Sequence, residues 1–346
     1  MKTLRNFAGA LVLATAALGT SPTAQPKVAY HAFFVFGDSV ADNGNDFLAT
    51  TAAGIDPAIP PSVSPHRTYS HGRFSNGRIA FEYLWARIQQ GPPSVLTPLL
   101  ADRSQTFVLA PCPTLPFTQP PDAPKKGAVD FAFGGASSGD CTPTSYGLSV
   151  PGLKTQVRWF GLMLGDRSVP KKSLFAMVVG ANDYQTGVPP DPQVVVNNIT
   201  DSVKELYRLG AHDVMVLNLP DLGNLPLSAP LTAAERAVLN ALTLVHNTLL
   251  QQSLSALAST LPDDSRLILI NLHDFVAGLS GNPNFTFAPA LPFPASFCLF
   301  TDPTTCPDVS TFNVDPRYVF WDAEHPTTAT HYLLSQYFFD ALQDAP

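Results

Sequence analysis

Five short apolar runs constrain the fold of this 346-residue chain more than any other feature of its sequence. Each run is continuous and lacks the polar alternation of a half-exposed strand, so it suits a parallel strand that is covered on both faces. Segments with helical patterns separate the runs, and strands that alternate with helices form a parallel sheet with helices on both sides. The predicted strands are Ala32–Phe36, Val129–Phe133, Leu174–Val179, Val214–Leu219 and Leu267–Leu272.

Helical patterns are recognised by apolar residues that recur at helical spacing among polar ones. Stretches rich in Pro, Ser, Thr and Phe interrupt the alternation, and they are too long for simple connectors, so they are interpreted as ordered insertions or functional loops. Neither a linker nor an internal repeat is visible, and the sequence therefore predicts a single domain over residues 25–346. The predicted helices are Gly77–Gln90, Val194–Leu209, Ala233–Leu257 and Thr328–Leu342; the insertions are Thr50–Pro65, Gly91–Lys126 and Gly278–Pro316.

Residues 1–24 have the pattern of a signal peptide. Two basic residues precede a short apolar run, Ala8 to Leu18, and small residues follow it. The run is shorter than the ~20 residues that cross a bilayer, which predicts a secreted, extracellular protein without a stable membrane anchor. In a eukaryotic host, the tripeptides that begin at Asn198 and Asn284 are N-glycosylation acceptors.

The four cysteines agree with an exported chain. An even number of cysteines in that compartment predicts two disulfides, for which three pairings are formally possible. The spacings favour Cys298–Cys306 and Cys112–Cys141. A metal site is the weaker alternative, because no CxxC pair and no nearby histidines accompany these cysteines.

Charge argues against nucleic acid as a partner. The formal net charge is −7, and lysines and arginines form no cluster that could neutralise a series of phosphates. The histidines other than His325 show no metal-ligand spacing, so no metal site is predicted.

The first candidate for chemistry is Ser39. It follows the first predicted strand directly, and ligands of open parallel sheets bind at the carboxyl ends of the strands. With Gly37 beside it, the serine can expose its hydroxyl at this edge. A serine here can equally act as a helix cap, so the Gly-Asp-Ser triplet alone is weak evidence.

A second feature, near the end of the chain, places Asp322 three residues before His325, just ahead of the last helix. A serine hydroxyl becomes a nucleophile when a neutral imidazole takes its proton, and the imidazole needs a carboxylate to fix its tautomer. One loop can supply both groups. The alternative is an ordinary helix entry with a surface histidine.

Two middle segments offer hydrogen-bond donors for a developing oxyanion. The second predicted strand ends in Gly134-Gly135-Ala136, whose backbone N–H groups lack a covering side chain at the glycines. The third ends in Gly180-Ala181-Asn182-Asp183, which presents a side-chain amide. Separately, such residues are ordinary turns. Together with the serine and the acid–base pair, they place a complete set of acyl-transfer groups at one sheet edge.

These segments resemble the conserved blocks of the GDSL, or SGNH, hydrolases, and they occur in the same order. Phe-Val-Phe-Gly-Asp-Ser ends at Ser39 with Val40 in place of the usual leucine, and the second block has Asp130 where Asn is common. The match extends from about Phe33 to the final helix. The segment Gly72–Arg78 is similar to plant and fungal members. The resemblance implies an α/β fold of three layers around a central five-stranded parallel sheet, the flavodoxin-like SGNH-hydrolase fold.

The resemblance also implies roles for single residues. Ser39 would be the nucleophile, His325 the general base and then acid, and Asp322 its orienting partner. The oxyanion donors would be the backbone N–H groups of Ser39 and Gly135 and the side chain of Asn182, with Gly134 as the fallback glycine. No metal or organic cofactor is implied.

A competing pattern is present at Gly135-Ala136-Ser137-Ser138-Gly139, which satisfies the G-x-S-x-G nucleophile elbow of α/β-hydrolases. That elbow requires a strand, a sharp turn and then a helix. The residues after Gly139 contain Pro143 and Gly147 and resist a helix, so Ser137 is the weaker candidate nucleophile.

Taken together, the sequence predicts a secreted serine ester hydrolase. Its predicted partner is an ester substrate, with short-chain or carbohydrate-borne acyl esters such as acetyl first and long-chain esters of a lipase or phospholipase second. An acyltransferase would use the same acyl-enzyme and stays open. A non-enzymatic binding protein on the same fold is the remaining class, because a fold alone does not establish activity.

Overall fold

The computed structural model describes residues 5–7, 29–89, 95–101, 112, 114, 126–185 and 188–344. Within these ranges, seven strands form one parallel sheet in the order β1-β9-β8-β7-β2-β4-β3. Two further pairs, β5-β6 and β10-β11, lie outside it. The strands are β1 Arg5–Phe7, β2 Ala32–Gly37, β3 Leu96–Pro98, β4 Gly127–Asp130, β5 Cys141–Pro143, β6 Ser149–Pro151, β7 Ser173–Val178, β8 Asp213–Leu217, β9 Arg266–Ile270, β10 Thr286–Pro289 and β11 Tyr318–Phe320.

The five predicted strands are the five central strands of the sheet. Their spatial order, β4-β2-β7-β8-β9, is the flavodoxin-like order 2-1-3-4-5, in which the switch point lies between the first and third strands. The predicted fold class is therefore confirmed. The sheet has seven strands instead of the predicted five, because the short strand β1 is added at one edge and the short strand β3 at the other.

Two strand predictions were misplaced at their ends. The run 129–133 was predicted as strand, but β4 spans Gly127–Asp130. Phe131 and Phe133 still donate backbone hydrogen bonds to β2 as the chain turns into the next loop. The run 267–272 contains β9 and the start of a helix, because the Asn271 side chain accepts from the Asp274 N–H and caps that helix.

Helices cover both faces of the sheet. Phe33 and Phe34 are neighbours on β2, so their side chains point to opposite faces. The Phe33 ring packs on Phe81 in α2, and the Phe34 ring packs on Phe160 in α3, which gives three layers. The helices are α1 Asn45–Ala52, α2 Ala80–Gln89, α3 Leu153–Leu164, α4 Ala181–Gln185, α5 Pro192–Arg208, α6 Ala233–Ala258, α7 Leu272–Ser280, α8 Cys298–Thr301 and α9 Thr328–Asp344. Sequence periodicity missed α3.

Two disulfides link the chain, Cys112–Cys141 and Cys298–Cys306, the two pairs that the spacing favoured. Most of the predicted leader, residues 1–24, and most of the insertion 91–126 lie outside the described residues. In the part of the chain that is described, none of the helices combines the length and the apolarity that crossing a bilayer requires.

Candidate active site

Three adjacent strands bring the candidate residues to one edge of the sheet. Ser39 follows β2, Gly135 lies beyond β4, and Asn182 lies in the first turn of the helix after β7. Because β4, β2 and β7 are parallel neighbours, their carboxyl ends meet at the switch point of the sheet. The loop between β11 and α9 adds Asp322 and His325 at the same edge.

Gly37 fixes where the strand ends and Ser39 begins. Its φ is +151°, and a Cβ at this position would lie 2.2 Å from the carbonyl oxygen of Val178, so no other residue fits. The buried Gln156 side chain holds the same peptide group from α3: its Oε1 accepts from the Gly37 N–H at 2.8 Å, and its Nε2 donates to the Gly37 carbonyl at 2.8 Å. These contacts hold the turn that carries Ser39.

Ser39, His325 and Asp322 form a hydrogen-bonded chain. The Nδ1 atom of His325 lies 2.7 Å from Oδ2 of Asp322, and its Nε2 atom lies 2.8 Å from Oγ of Ser39. A carboxylate only accepts, so Nδ1 carries the proton and Nε2 of the neutral ring accepts from the serine hydroxyl. This is the geometry in which an imidazole can deprotonate a serine.

Asp322 is completely buried and accepts four hydrogen bonds. The backbone N–H groups of Glu324 and His325 donate to its Oδ1 at 2.9 and 2.7 Å. The phenol of Tyr69 donates to its Oδ2 at 2.6 Å, beside the His325 imidazole. The local turn explains the three-residue spacing, because the carboxylate must reach both the backbone and the ring of His325.

His325 is 2% exposed, and two phenylalanine rings lie beside it. The ring of Phe74 is 5.2 Å away, and the ring of Phe300 is stacked at 5.8 Å with an 11° angle between the planes. Burial lowers the pKa of His325, but the charge and hydrogen bond of Asp322 outweigh it, so the pKa is raised above 6.5.

The candidate oxyanion donors are arranged around the loop after β4. The Gly134 N–H donates to Oδ2 of Asp42 at 3.0 Å, so this N–H is committed, which leaves Gly135 as the glycine candidate. Gly135 has a φ of +78° and is half-exposed. The Asn182 amide donates a hydrogen bond to the Ala136 carbonyl at 3.0 Å, which holds the amide beside the loop after β4.

A hydrogen-bond network that includes Asn198 supports this loop. Asp183 accepts from the N–H and the hydroxyl of Ser138, both at 2.8 Å, and the Asn198 amide donates to the same hydroxyl at 3.1 Å. Thr200 is buried. Asn198 is half-buried in α5 and Asn284 is exposed, and N-glycosylation at both positions stays a prediction.

The competing serine, Ser137, is placed differently. Its N–H donates to the Thr142 hydroxyl, and its own hydroxyl accepts from that hydroxyl at 2.8 Å. The strand β5 follows it within a few residues, whereas a nucleophile elbow requires a helix. The ring of His325 contacts Ser39 instead.

Carboxyl groups surround Ser39. Burial raises the pKa of Asp38 to about 7, and the charges of Glu324 and Asp183 add to that effect. Burial also raises the pKa of Glu324, whose carboxyl accepts a hydrogen bond from Gln185. Among the described residues, no group of three or more His, Cys, Asp or Glu side chains is placed to hold a metal ion.

Several residues that shape the site were not found from the sequence. Tyr69 and Gln156 lie far along the chain from the groups that they contact, and neither belongs to a periodic pattern. Phe74 lies within the segment Gly72–Arg78, whose similarity to plant and fungal members was the available signal. That segment also contacts the catalytic loop directly, because the Ser75 hydroxyl donates to the Pro326 carbonyl at 2.9 Å.

Comparison with known proteins adds independent information. The family model described as GDSL-like Lipase/Acylhydrolase matches residues 33–338. One GDSL esterase/lipase of Arabidopsis thaliana is 25% identical over 88% of this chain and 85% of its own, and a second is 28% identical over 86% of each. A solved lipase/acylhydrolase from Enterococcus faecalis covers 90% of this chain and 95% of its own at 10% identity, with a TM-score of 0.36, a similarity too low to support an argument.

Proposed function

The chain belongs to the GDSL-like lipase/acylhydrolase family and is a hydrolase that acts on ester bonds; on this premise we propose that it works through an acyl-enzyme on Ser39. One observation carries the proposal. The Ser39 hydroxyl lies 2.8 Å from Nε2 of His325, whose Nδ1 lies 2.7 Å from a buried carboxylate. A serine in this position can be deprotonated as it attacks.

In the first half of the reaction, Oγ of Ser39 attacks the ester carbonyl carbon while its proton moves to Nε2 of His325. The buried Asp322 stabilises the imidazolium that forms. The N–H groups of Ser39 and Gly135 and the Asn182 amide donate to the oxyanion. When the tetrahedral intermediate collapses, the C–O bond to the alcohol breaks and the leaving oxygen takes the proton from His325.

In the second half, water replaces the alcohol. His325 takes a proton from the water as its oxygen attacks the acyl carbon, and collapse of the second intermediate returns that proton to Oγ of Ser39. The carboxylic acid is then released, and the free enzyme is restored. An alcohol in place of this water would give acyl transfer by the same steps.

For the substrate, we propose short acyl esters carried by a polar, hydroxyl-rich alcohol such as a carbohydrate. Glu324 precedes His325, interacts with its charge and accepts a hydrogen bond from Gln185, so polar groups lie next to the histidine. Carboxylates and amides are the groups that accept hydrogen bonds from sugar hydroxyls. Esters with a neutral alcohol also avoid repulsion from the carboxyl groups around Ser39.

A second candidate, hydrolysis of long-chain acyl esters, is favoured by a different observation. Phe300, which stacks on His325, is 36% exposed, and Phe293 on the same insertion is 80% exposed. A partly exposed phenylalanine ring against the histidine, on an insertion with a second exposed ring, suits an acyl chain. A rate panel over acetyl, butyryl, long-chain and acetylated-oligosaccharide esters separates the two candidates, and inert acetylated sugars beside active long-chain esters would reverse the order.

We also propose that the protein is exported. Its four cysteines are paired, as is usual in oxidising compartments, and residues 1–24 have the pattern of a signal peptide. Amino-terminal sequencing of protein recovered from the culture medium tests this proposal.

Diisopropyl fluorophosphate labelling followed by peptide mass spectrometry tests the nucleophile. We expect one adduct, on Ser39, and simultaneous loss of ester hydrolysis. A protein that binds esters without cleaving them would not react, and an adduct on Ser137 would move the chemistry to that serine.

A further inference from the structure

One segment of the chain holds the catalytic loop through three side chains. In the segment 66–76, the Tyr69 phenol donates to Asp322, the Ser75 hydroxyl donates to the Pro326 carbonyl, and Oδ1 of Asn76 accepts from the backbone N–H of the residue that begins α9. The first of these is the only one that reaches a triad member. Tyr69 is 2% exposed, so its phenol donates to the Asp322 carboxylate in place of water.

The same segment is fastened on its other side to the loop closed by Cys298–Cys306. Nδ1 of His66 lies 2.9 Å from the Cys306 carbonyl oxygen, and the Val309 N–H donates to the Arg67 carbonyl at 3.1 Å. Tyr69 also packs with Leu291 and Trp321 in a small apolar cluster of its own. The position of the phenol is thus set by the insertion 278–316, not by the central sheet.

We propose that Tyr69 is a positioning residue for the reaction, which orients Oδ2 of Asp322 toward His325 and sets how strongly that carboxylate attracts the imidazolium. Oδ2 accepts from two donors at once, the phenol at 2.6 Å and the imidazole at 2.7 Å. The phenol shares the negative charge of this oxygen and fixes the direction of its remaining lone pair. Tyr69 acts through Asp322 and does not touch the reacting atoms.

The inference rests on the proposed function, because Asp322 has a catalytic task only if His325 activates Ser39. The test therefore combines two measurements, one of catalysis and one of the contact itself. Steady-state kinetics report the catalytic effect, and the proton resonance of His325 Nδ1 in ¹H NMR reports the contact itself, without any substrate. If Ser39→Ala kept full activity, the proposed function would fail while the NMR readout still tested Tyr69.

The test variant is Tyr69→Phe, which removes one oxygen atom and keeps the ring. Its matched control is Tyr83→Phe, because the Tyr83 phenol lies 2.9 Å from the Thr328 hydroxyl at the start of α9 and contacts no triad residue. For Tyr69→Phe we expect kcat to fall about 10-fold with little change in KM, the size of one lost hydrogen bond to a charged group.

The pH profile separates positioning from packing. Without the phenol, the full charge of Oδ2 acts on the imidazolium, so the pKa of His325 rises and the acid limb of kcat/KM moves to higher pH. The chemical shift of the Nδ1 proton of His325 should change as well. Tyr83→Phe should leave kcat, the acid limb of kcat/KM and this chemical shift unchanged. An unchanged kcat in Tyr69→Phe would overturn the proposal. So would a lower kcat if the acid limb of kcat/KM and the Nδ1 proton resonance of His325 stayed where they are in the parent.

Discussion

The Nε2 atom of His325 lies 2.8 Å from the Oγ atom of Ser39, although 286 residues separate the two along the chain. The contact forms because β2 delivers the serine and the loop before α9 delivers the histidine to the same sheet edge. The predictions about catalysis depend on this contact and on the buried groups that support it.

Replacing each of the two candidate serines by alanine tests which one is the nucleophile. Ser39→Ala should lower kcat by a factor on the order of 10⁶, as loss of a triad nucleophile does. Ser137→Ala should keep most of the activity, because Ser137 bonds to Thr142 and not to His325. Ester hydrolysis is measured for both variants after circular dichroism has shown that they fold. An inactive Ser137→Ala beside an active Ser39→Ala would assign the nucleophile elbow to this chain.

Removal of one oxyanion donor should affect the chemical step. Asn182→Ala is expected to lower kcat about 10²–10³-fold with little effect on KM, because the oxyanion exists only near the transition state. Asn197→Ala, on the exposed face of α5, is the control and should behave like the parent. A loss that appeared mainly in KM would place Asn182 in substrate binding instead.

Activity should fall on acidification as His325 takes up a proton. Its pKa is raised above 6.5, since Asp322 outweighs the effect of burial, and an imidazolium cannot accept the Ser39 proton. The acid limb of kcat/KM should therefore lie above pH ~6.5, the ordinary range of histidine. Asp322→Asn should lower kcat and move this acid limb to lower pH. A profile that stays flat well below that range would remove His325 as the base.

The two disulfides should differ in what they support. Cys298–Cys306 closes a loop with a sequence separation of 8, which adds only about 2–3 kcal/mol by loop entropy. Cys112–Cys141, with a separation of 29, closes the longer loop and adds about 3–4 kcal/mol.

The shorter loop contacts the segment that carries Tyr69. The double variant Cys298→Ser/Cys306→Ser should therefore have a larger decrease in kcat, and a smaller decrease in Tm, than Cys112→Ser/Cys141→Ser. Kinetics and thermal melts of both variants check this. Equal losses of kcat for equal losses of Tm would mean that both disulfides act through stability alone.

A buried carboxyl group away from the triad should make stability depend on pH. Oδ1 of Asp46 is buried without a hydrogen-bond partner, and its Oδ2 accepts from the Tyr146 phenol at 2.8 Å. Burial, together with the charge of Asp42, raises the pKa of Asp46 well above its ordinary value. The native state therefore holds a proton that the unfolded chain releases, so this contribution to stability is lost as the pH rises.

Asp46→Asn removes that dependence, because the amide is neutral at every pH. We expect its Tm to exceed the parent's by about 1–2 °C at pH 8, which corresponds to about 1 kcal/mol, and by less at pH 5. Thermal melts at both pH values measure the difference. A larger gain at pH 5 than at pH 8 would contradict the assignment of the proton to Asp46.

The sequence by itself determined the five central strands of the sheet. Buried parallel strands must be continuously apolar, so runs such as Ala32–Phe36 are visible without a structure. The pair Asp322 and His325 was equally visible, because both residues lie in one short loop, in which the carboxylate also accepts from the His325 N–H. The catalytic roles of these residues stay predictions until the Ser39 and Asn182 variants are measured.

Only the tertiary structure decided which side chains hold that site in place. Tyr69 reaches Asp322 across 253 residues, and Gln156 reaches Gly37 across 119. Asn198, which matches a glycosylation tripeptide, donates to the Ser138 hydroxyl for the same kind of reason. Each acts through one or two contacts with a distant segment, and such a contact leaves no period or local pattern in the sequence. It exists only after the helices and insertions have packed against the sheet.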